Sequence, residues 1–459
     1  MKIENNKKEG SAKENSTGNG RLGRLLTVAL FAAACSLLIT AVPMSDTYVS
    51  GDAGDYELQY YFDEEQLVAT VTGVTGNPTV VAVPEYVSYE GESYSVKKIG
   101  DSAFQFRSNL TKISMPSILI IGEFAFLQCT ELKDVSMPTV AEIEDSAFLK
   151  CTGLKEVKMP ELLFLDDNVF SDCTGLEKVS MEKVAYIFDY SFSGCSNLTS
   201  VTLGSALSIG DGAFRGCSKL TGAWIISVNW IGDNAFRDCT SLKSIDVYIL
   251  QKIGDNAFRD CTALGGVSLP IVKKIGDNAF YNCSSVGAVT LSEKTTTIGA
   301  GAFSGCSGLG FISIPDSVRQ AGDDAFADCP DLVIMTPANS IMKFKGHEGK
   351  LIRYTGIPMT ASINDGVMTM RFTAPFGAML DEVTVTSERQ PVTVSGDGDV
   401  RTFTADGYEY RVSATTVPVL GPVLPKPDGG DLPMTTSLIM VAGLAAITGV
   451  AALLVVRKP

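Results

Sequence analysis

Cysteine recurs at a fixed interval through the middle of the chain. Beyond Cys35, successive cysteines are separated by 22 residues seven times and then by 23 residues twice. A phenylalanine precedes each of them by three residues, and Phe104 begins the series with Arg107 in the place of its cysteine. A period of about 20–29 residues is typical of solenoids, whose coils stack on one another, and eleven units exceed the roughly three needed for stability. The repeated positions are Phe126, Phe148, Phe170, Phe192, Phe214, Phe236, Phe258, Phe280, Phe303 and Phe326, with Cys129, Cys151, Cys173, Cys195, Cys217, Cys239, Cys261, Cys283, Cys306 and Cys329.

The unit from Ile253 to Pro270 shows how one repeat is expected to fold. Its Leu-x-x-Val-x-Leu segment alternates at the end, which predicts a short strand with Val267 and Leu269 facing inward. Pro270 ends the strand because proline donates no ladder hydrogen bond. Stacked strands of this kind predict one long parallel sheet on the concave face. The Asp-Asn-Ala-Phe segment at Asp277 predicts a capped helical turn, whose carboxylate accepts the free N–H groups of that turn.

The repeat also resembles a known family. The pattern Ile-Gly-Asp-x-Ala-Phe-x-x-Cys-x-x-Leu recurs with few departures from about residue 96 to residue 336. It resembles the BspA-like leucine-rich repeats of bacterial and protist surface proteins, and residues 73–98 are similar to the N-terminal cap of that family. The resemblance implies a β-rich leucine-rich-repeat solenoid and ligand recognition or adhesion at the cell surface. It does not identify the ligand.

Composition divides the chain into further segments. After the repeats, short alternating runs separated by Gly/Asp turns predict a small antiparallel β-domain. A Pro/Gly-rich stretch then predicts an extended linker. The predicted segments are a basic region with signal or signal-anchor (1–44), an N-terminal cap (45–95), the solenoid (96–337), the β-domain (338–420), a linker with an LPxT-like motif (421–436), and a membrane anchor with a basic tail (437–459).

The two ends of the chain predict export. Basic residues precede the apolar run from Leu25 to Val42, the order of a secretory signal, with an uncleaved membrane anchor as the alternative. Near the C-terminus, the 20 uncharged residues from Ser437 to Val456 are enough to span a bilayer, and Arg457 and Lys458 follow on the cytoplasmic side.

The segment before this span resembles a Gram-positive sorting signal. In that family a sortase cuts an LPxTG pentapeptide after its threonine and joins the protein to the wall. The matching residues are Leu432, Pro433, Met434 and Thr435, whereas Thr436 replaces the glycine. A plain transmembrane anchor is therefore the alternative to wall attachment.

The cysteine column predicts buried free thiols. Parallel side chains on strands about 4.8 Å apart keep their sulfurs well beyond the roughly 2.05 Å of a disulfide. Zinc requires four thiolates that converge on one point, which a ladder along the solenoid axis does not provide. We expect each thiol to be a small apolar plug that donates weakly to turn carbonyls, and we expect no metal.

A column of carboxylates follows the same period. It consists of Asp101, Glu123, Asp145, Asp167, Asp189, Asp211, Asp233, Asp255, Asp277 and Asp323. Calcium binding by stacked carboxylates is one interpretation. The helix-cap interpretation explains the same residues without a ligand and is favoured, because no second oxygen-rich column recurs in phase with the first.

Charge and composition exclude several functions. The chain has 37 basic and 52 acidic residues, a formal net charge of −15, so it repels a phosphate backbone and nucleic acid is not an expected partner. His347 is the only histidine, which removes histidine triads and histidine-clustered metal sites. No serine or threonine has an evident general base. We therefore predict no enzymatic activity and no cofactor, with a surface hydrolase as the third alternative.

Recognition is expected on the outward positions of the concave strands. In the C-terminal half these positions are mostly small and hydroxylated, so an exposed tryptophan there is typical of an anchor for a protein or sugar partner. A chance surface aromatic is the alternative. The predicted binding residues are Trp224, Phe311, Thr202, Asp246 and Ser268. A second outward column, Phe164, Tyr186 and Trp230, either packs as an aromatic ladder or binds a partner.

The sequence therefore predicts an exported, surface-anchored leucine-rich-repeat protein. Its expected function is non-catalytic binding of an extracellular protein or glycan, most simply adhesion. The alternative is a structural envelope component that binds the wall of its own cell. The expected partners are this ligand and the membrane or cell wall at the C-terminus.

Overall fold

A computed structural model describes the repeats and parts of their flanks. The described residues are 47–48, 56–204, 206–224, 227–322 and 324–337, followed by 351–355, 359–364, 367–372, 378–387, 394–395, 400–404 and 410–418. Within these residues the regular structure consists of strands, and no helix is long and apolar enough to cross a membrane. The predictions for residues 1–44 and 421–459 lie outside the described residues.

An N-terminal cap covers the first coil. Strand β2 (Leu58–Asp63) forms an antiparallel hairpin with β3 (Val68–Val74), which pairs in parallel with β6 (Glu92–Ile99), and β5 (Tyr86–Tyr89) pairs antiparallel with β6. Arg107 ties the first coil to this cap, because its guanidinium donates to the carbonyl oxygens of Val74 (2.6 Å) and Gly76 (2.9 Å). This contact explains why arginine replaces cysteine in the first repeat. The strands are β1 (Thr47–Tyr48), β2 (Leu58–Asp63), β3 (Val68–Val74), β4 (Val80–Ala82), β5 (Tyr86–Tyr89) and β6 (Glu92–Ile99).

Each following coil contributes one long and one short strand. All strands of a column run parallel, as expected for a solenoid. The long strands are β7 (Lys112–Ser114), β9 (Asp134–Ser136), β11 (Glu156–Lys158), β13 (Lys178–Met181), β15 (Ser200–Leu203), β17 (Gly222–Trp224), β19 (Ser244–Asp246), β21 (Val267–Leu269), β23 (Ala288–Leu291), β25 (Phe311–Ser313) and β27 (Val333–Pro337). The short strands are β8 (Ile120–Ile121), β10 (Glu142–Ile143), β12 (Phe164–Leu165), β14 (Tyr186–Ile187), β16 (Ser208–Ile209), β18 (Trp230–Ile231), β20 (Lys252–Ile253), β22 (Lys274–Ile275), β24 (Thr297–Ile298) and β26 (Gln320–Ala321).

The continuous sheet is formed by the short strands, not by the long ones. It extends from the cap through β8 to β26, whereas the long strands fall into three sheets that are interrupted after β9 and after β19. The predicted parallel solenoid is confirmed, and the long parallel sheet expected from the sequence is divided into three parallel stretches. At the second interruption two glycines, Gly265 and Gly266, precede β21, and the strand begins one residue later than its neighbours.

The segment before each phenylalanine is not the predicted helical turn. From Phe104 to Phe303, the residues two before and two after the phenylalanine lie in the left-handed region, as Phe124 (φ 55°) and Gln128 (φ 59°) do around Phe126, and an α-helix does not tolerate this. Every second N–H donates to the next coil, as Phe126 does to Ala147 (2.7 Å) and Gln128 to Leu149 (2.9 Å). The prediction failed because asparagine and aspartate favour left-handed turns as well as helix caps.

The carboxylate column links neighbouring coils. Asp233 Oδ1 accepts a hydrogen bond from the backbone N–H of Asp255 (2.7 Å), and Asp255 Oδ1 accepts one from Asp277 (2.8 Å). The predicted cap on the residue's own turn is therefore corrected to a ladder between coils. A carboxylate that accepts a backbone N–H makes a charge-assisted bond, so each step holds two coils together.

The phenylalanine column forms the interior spine. All eleven rings are buried and stacked, with successive centroids 4.8–5.6 Å apart and planes within 10° of each other. The neighbouring cysteines, Cys129 through Cys329 in the repeat, are free and buried. Each thiol donates to the carbonyl of a phenylalanine one coil earlier, as Cys151 Sγ does to Phe126 O at 3.0 Å. Burial raises the pKa of the Cys129 thiol to about 12 and that of Cys329 to about 11.

The strands after the repeats continue the last sheet. Strand β28 (Leu351–Thr355) pairs in parallel with β27 and with β33 (Tyr410–Pro418), which pairs antiparallel with β31 (Ala378–Ser387). A separate antiparallel sheet has the order β29-β30-β32. The strands are β28 (Leu351–Thr355), β29 (Met359–Asn364), β30 (Val367–Phe372), β31 (Ala378–Ser387), β32 (Val400–Thr404) and β33 (Tyr410–Pro418). The pairing of β28 with β27 joins this region to the last coil.

Candidate functional site

The long strands present one face to the outside. We call it the long-strand face and define it as the outward residues of the strands from β7 to β25, which are the first and third residues of each strand except in β21, where Ser268 is the outward residue. In β11 the outer residues Glu156 and Lys158 are exposed while Val157 between them is buried, and the same alternation recurs in β15 and β23. Because the inward positions are fixed by packing, only the outward ones are free to differ from coil to coil.

Three of the predicted binding residues are register neighbours on this face. Thr202 pairs with Trp224, and Trp224 pairs with Asp246, so the backbone brings these positions side by side. Thr202 is exposed, whereas the side chains of Trp224 and Asp246 lie outside the described residues. The exposed Ser268 and the half-buried Phe311 belong to the next sheet along the solenoid.

The second predicted column is an aromatic pair and a separate tryptophan. Phe164 and Tyr186 stack with centroids 5.8 Å apart and planes 1° from parallel. Ser208 occupies the next register position, so Trp230 lies one coil further on, where the ammonium of Lys252 is 5.7 Å from its ring centroid. The three aromatic side chains are half-buried. The ladder interpretation therefore holds for Phe164 and Tyr186, and Trp230 makes a cation–π contact instead.

The long-strand face also contains a depression that was not predicted from the sequence. It is open to solvent, has a volume of about 420 Å³, and spans the first interruption, between β9 and β11. Four lysines and two carboxylates dominate its lining. The lining residues are Lys112, Ile113, Lys133, Asp134, Val135, Ser136, Lys155, Glu156 and Lys158.

The two strand edges at this depression are unpaired. Between β11 and β13, the Lys178 N–H donates to Lys155 O (3.2 Å) and the Met159 N–H to Ser180 O (3.0 Å). Within the described part of the chain, no corresponding backbone bond joins β9 to β11. Val135 in β9 is half-buried although Val157, its counterpart one coil later, is buried. The coils are therefore splayed here on the long-strand side only.

The charges explain where the sheet opens. Lys112 pairs in register with Asp134, and Glu156 pairs in register with Lys178, so each hydrogen-bonded pair joins opposite charges. Asp134 and Glu156 occupy the same position on successive coils and would bring two carboxylates together across the gap. Like charges directly opposite each other weaken strand pairing. This juxtaposition, visible in the sequence at the repeat spacing, was the signal that could have located the depression.

The lysines of the depression carry only exposed ion pairs. Lys158 Nζ lies 3.1 Å from a Glu156 oxygen and Lys155 Nζ 3.2 Å from one of Glu177, with side chains 48–73% exposed. Such pairs contribute about 0–1 kcal/mol because water screens them. The lysine head groups are therefore available to another anion.

The described residues contain no cluster suited to a metal ion. No group of three or more histidine, cysteine, aspartate or glutamate side chains in this part of the chain is arranged to hold one. The sorting-like residues 432–435 lie outside the described residues.

The repeats are similar to those of known proteins. The family model "BspA type Leucine rich repeat region" matches residues 97–221 and 208–333, together just over half of the chain. Among solved structures, a leucine-rich repeat protein from Bacteroides ovatus is 25% identical (69% of this chain, 95% of that chain, TM-score 0.42). A leucine rich cell surface protein from Faecalibacterium prausnitzii is 26% identical (65% and 90%, TM-score 0.38). The search of curated proteins gave no match.

Proposed function

The chain belongs to the BspA-type leucine-rich-repeat family, and from this premise we propose that it binds an extracellular macromolecule through its long-strand face without catalysis. The observation that supports the proposal is the difference between the inward and the outward side chains of each coil. Apart from Val135, the described inward side chains at the centre of these strands are buried, while the described outward ones are exposed or half-buried and differ from coil to coil. A stacked array with a variable face is an extended recognition surface.

The proposal places the protein at the cell surface. A basic segment followed by an apolar run at the N-terminus favours export, and the uncharged stretch with its basic tail favours anchoring at the C-terminus. A family relative from Faecalibacterium prausnitzii is described as a cell surface protein, which agrees with this location. Protease treatment of intact cells tests it: the solenoid should be released from the surface, and resistance until lysis would contradict export.

The contacts of the recurring thiols and carboxylates support a non-catalytic function. In the described part of the chain most carboxylates of the repeat accept backbone N–H groups of the next coil, and the thiols donate to carbonyls inside the core. Burial raises the pKa of each repeat thiol, which keeps it protonated and a poor nucleophile. The reactive groups that recur most often are thus engaged in holding coils together.

An array of glycans and matrix proteins, probed with the purified chain, tests the binding function. Purified wall from the same cells is included, so that adhesion and an envelope role give different results. A ligand should bind and should be lost when exposed residues of the long-strand face are substituted. Binding that survives all such substitutions would contradict the proposed surface, and hydrolysis of an array ligand would contradict the non-catalytic function.

A further inference from the structure

We propose that the depression between β9 and β11 binds an acidic sugar of a polysaccharide that carries carboxylate or sulfate groups. The inference rests on the proposed binding function and names a ligand class for it. It also moves the expected contact to the N-terminal half of the long-strand face, away from Trp224. Three independent features of the depression support it: its size, its unpaired backbone and its charge.

The size suits a sugar unit rather than a flat contact. The depression has a volume of about 420 Å³, within the range of roughly 300–1,000 Å³ typical of ligand sites. Its floor is formed by the buried Ile113 and the half-buried Val135, and its walls are polar. No aromatic or deep apolar pocket is present in this lining to accept an anchor side chain of a peptide.

The unpaired strand edges suit a ligand that both donates and accepts hydrogen bonds. On one side the backbone N–H and C=O of Val135 make no bond to β11, and on the other those of Glu156 and Lys158 make none to β9. Water satisfies these groups while the depression is open. Sugar hydroxyls can replace that water because each is a donor and an acceptor, whereas an inorganic anion only accepts.

The charge of the lining favours an anionic ligand. Four lysines face two carboxylates, so the lining is positive on a chain whose net charge is −15. Among the described residues Lys112 forms no ion pair, and the other three pairs are exposed and easily exchanged. Lys133 and Lys155 occupy the same position of successive coils, so a polymer lying along the solenoid axis presents its anionic groups to both.

The test measures binding of defined polymers to the immobilised full chain. The probes are polygalacturonate (carboxylates), dextran sulfate (sulfates), neutral dextran and poly-L-glutamate. The first variant combines Lys112→Gln, Lys133→Gln, Lys155→Gln and Lys158→Gln. Its control makes the same charge change elsewhere, with Lys243→Gln, Lys273→Gln, Lys274→Gln and Lys294→Gln, all of them exposed lysines. Melting curves of both variants should match that of the unchanged chain.

A second pair of variants tests whether the ligand occupies the depression, independently of the charge of its lining. Ser136→Phe fills the depression at an exposed position without altering any charge, and Thr290→Phe places the same ring at an exposed position of β23. We expect polygalacturonate or dextran sulfate to bind, with the quadruple site variant and Ser136→Phe each weakening binding at least about tenfold. The two controls should change it by less than about twofold.

Four results would overturn the inference. The first two are an equal loss of polysaccharide binding in the quadruple site variant and its charge control, and unchanged binding in Ser136→Phe. The third is binding of neutral dextran as tight as that of the acidic polysaccharides. The fourth is tighter binding of poly-L-glutamate than of either acidic polysaccharide. The last result would assign the site to an acidic peptide. If neither acidic polysaccharide binds but the array yields a ligand that depends on other residues of the long-strand face, this inference fails while the proposed function stands.

Discussion

Substituting Phe236 tests whether stability lies in the stacked spine. Its ring is fully buried between Phe214 and Phe258, with centroids 5.2 Å and 5.3 Å away. Replacing a buried phenylalanine by alanine costs about 3–5 kcal/mol, and each stacked ring pair contributes about 0.5–1.5 kcal/mol of that loss. Phe104 is equally buried but stacks within the spine only on Phe126, at 5.1 Å. We therefore expect Phe236→Ala to cost about 1 kcal/mol more than Phe104→Ala.

Urea unfolding followed by two signals measures this difference. Far-UV circular dichroism reports on the whole solenoid, while tryptophan fluorescence reports on the central coils that contain Trp224 and Trp230. Because a terminal coil has fewer neighbours, Phe104→Ala should lose dichroism before fluorescence changes, and Phe236→Ala should shift both midpoints together. Phe236→Leu, which keeps most of the volume, is the control and should lose less than half as much. Equal losses at Phe236 and Phe104 would refute the stacking argument.

Three further predictions concern thiols, recognition and charge. The ten repeat cysteines should be alkylated in denaturant and almost none of them in the native chain, and four or more disulfides by mass spectrometry would contradict the ladder. Trp224→Ala should leave the melting curve nearly unchanged and weaken binding of a protein or neutral glycan from the array at least about tenfold, since the strand alternation predicts an outward side chain, while binding of acidic polysaccharide at the depression should not change; normal binding of the array ligand would move its recognition elsewhere. Burial, then the nearby Glu144 carboxylate, raises the pKa of Glu142, so the folded chain binds its proton more readily and stability through this group falls as pH rises. Glu142→Gln should therefore raise the melting temperature at pH 7 and not at pH 3, and an equal rise at both would exclude this cause.

The fold was predictable because the buried residues recur in every coil, whereas the surface residues do not. A buried position must satisfy the same neighbours in every coil, so Phe236 and Cys239 recur at the period and reveal the solenoid. The turn was mispredicted because its asparagines and aspartates suit two conformations, and only the stacking between coils selects the left-handed one. Asp255 shows what the sequence of a single repeat does not reveal. Its recurrence at the repeat spacing was evident, but its hydrogen-bond partner is the backbone N–H of Asp277 on the next coil.

The candidate site was less predictable because it depends on an interruption of the repeat. Phe164 and Tyr186 could be paired from spacing alone, since identical register stacks them. The depression required a comparison of outward residues on successive coils instead of inspection of each coil. Such a comparison finds two carboxylates, Asp134 and Glu156, at the first outward position of β9 and β11. The strands on either side, β7 and β13, carry a lysine at the same position.

The like-charged pair also yields a prediction about the gap itself. Asp134 and Glu156 face each other where β9 and β11 fail to pair, and removing one charge should allow the missing ladder to form. In the unchanged chain the backbone amides of Glu156 and Lys158 lack strand partners, so they should exchange hydrogen rapidly, whereas the amide of Ser180 in the paired β13 should exchange slowly. Asp134→Asn keeps the size of the side chain and should slow exchange at Glu156 and Lys158 at least about tenfold without changing Ser180. Closing the gap should also remove binding of acidic polysaccharide, although the substitution makes the lining more positive. Tighter binding with unchanged exchange would show that the lysines act by charge alone and that the carboxylates do not hold the sheet open.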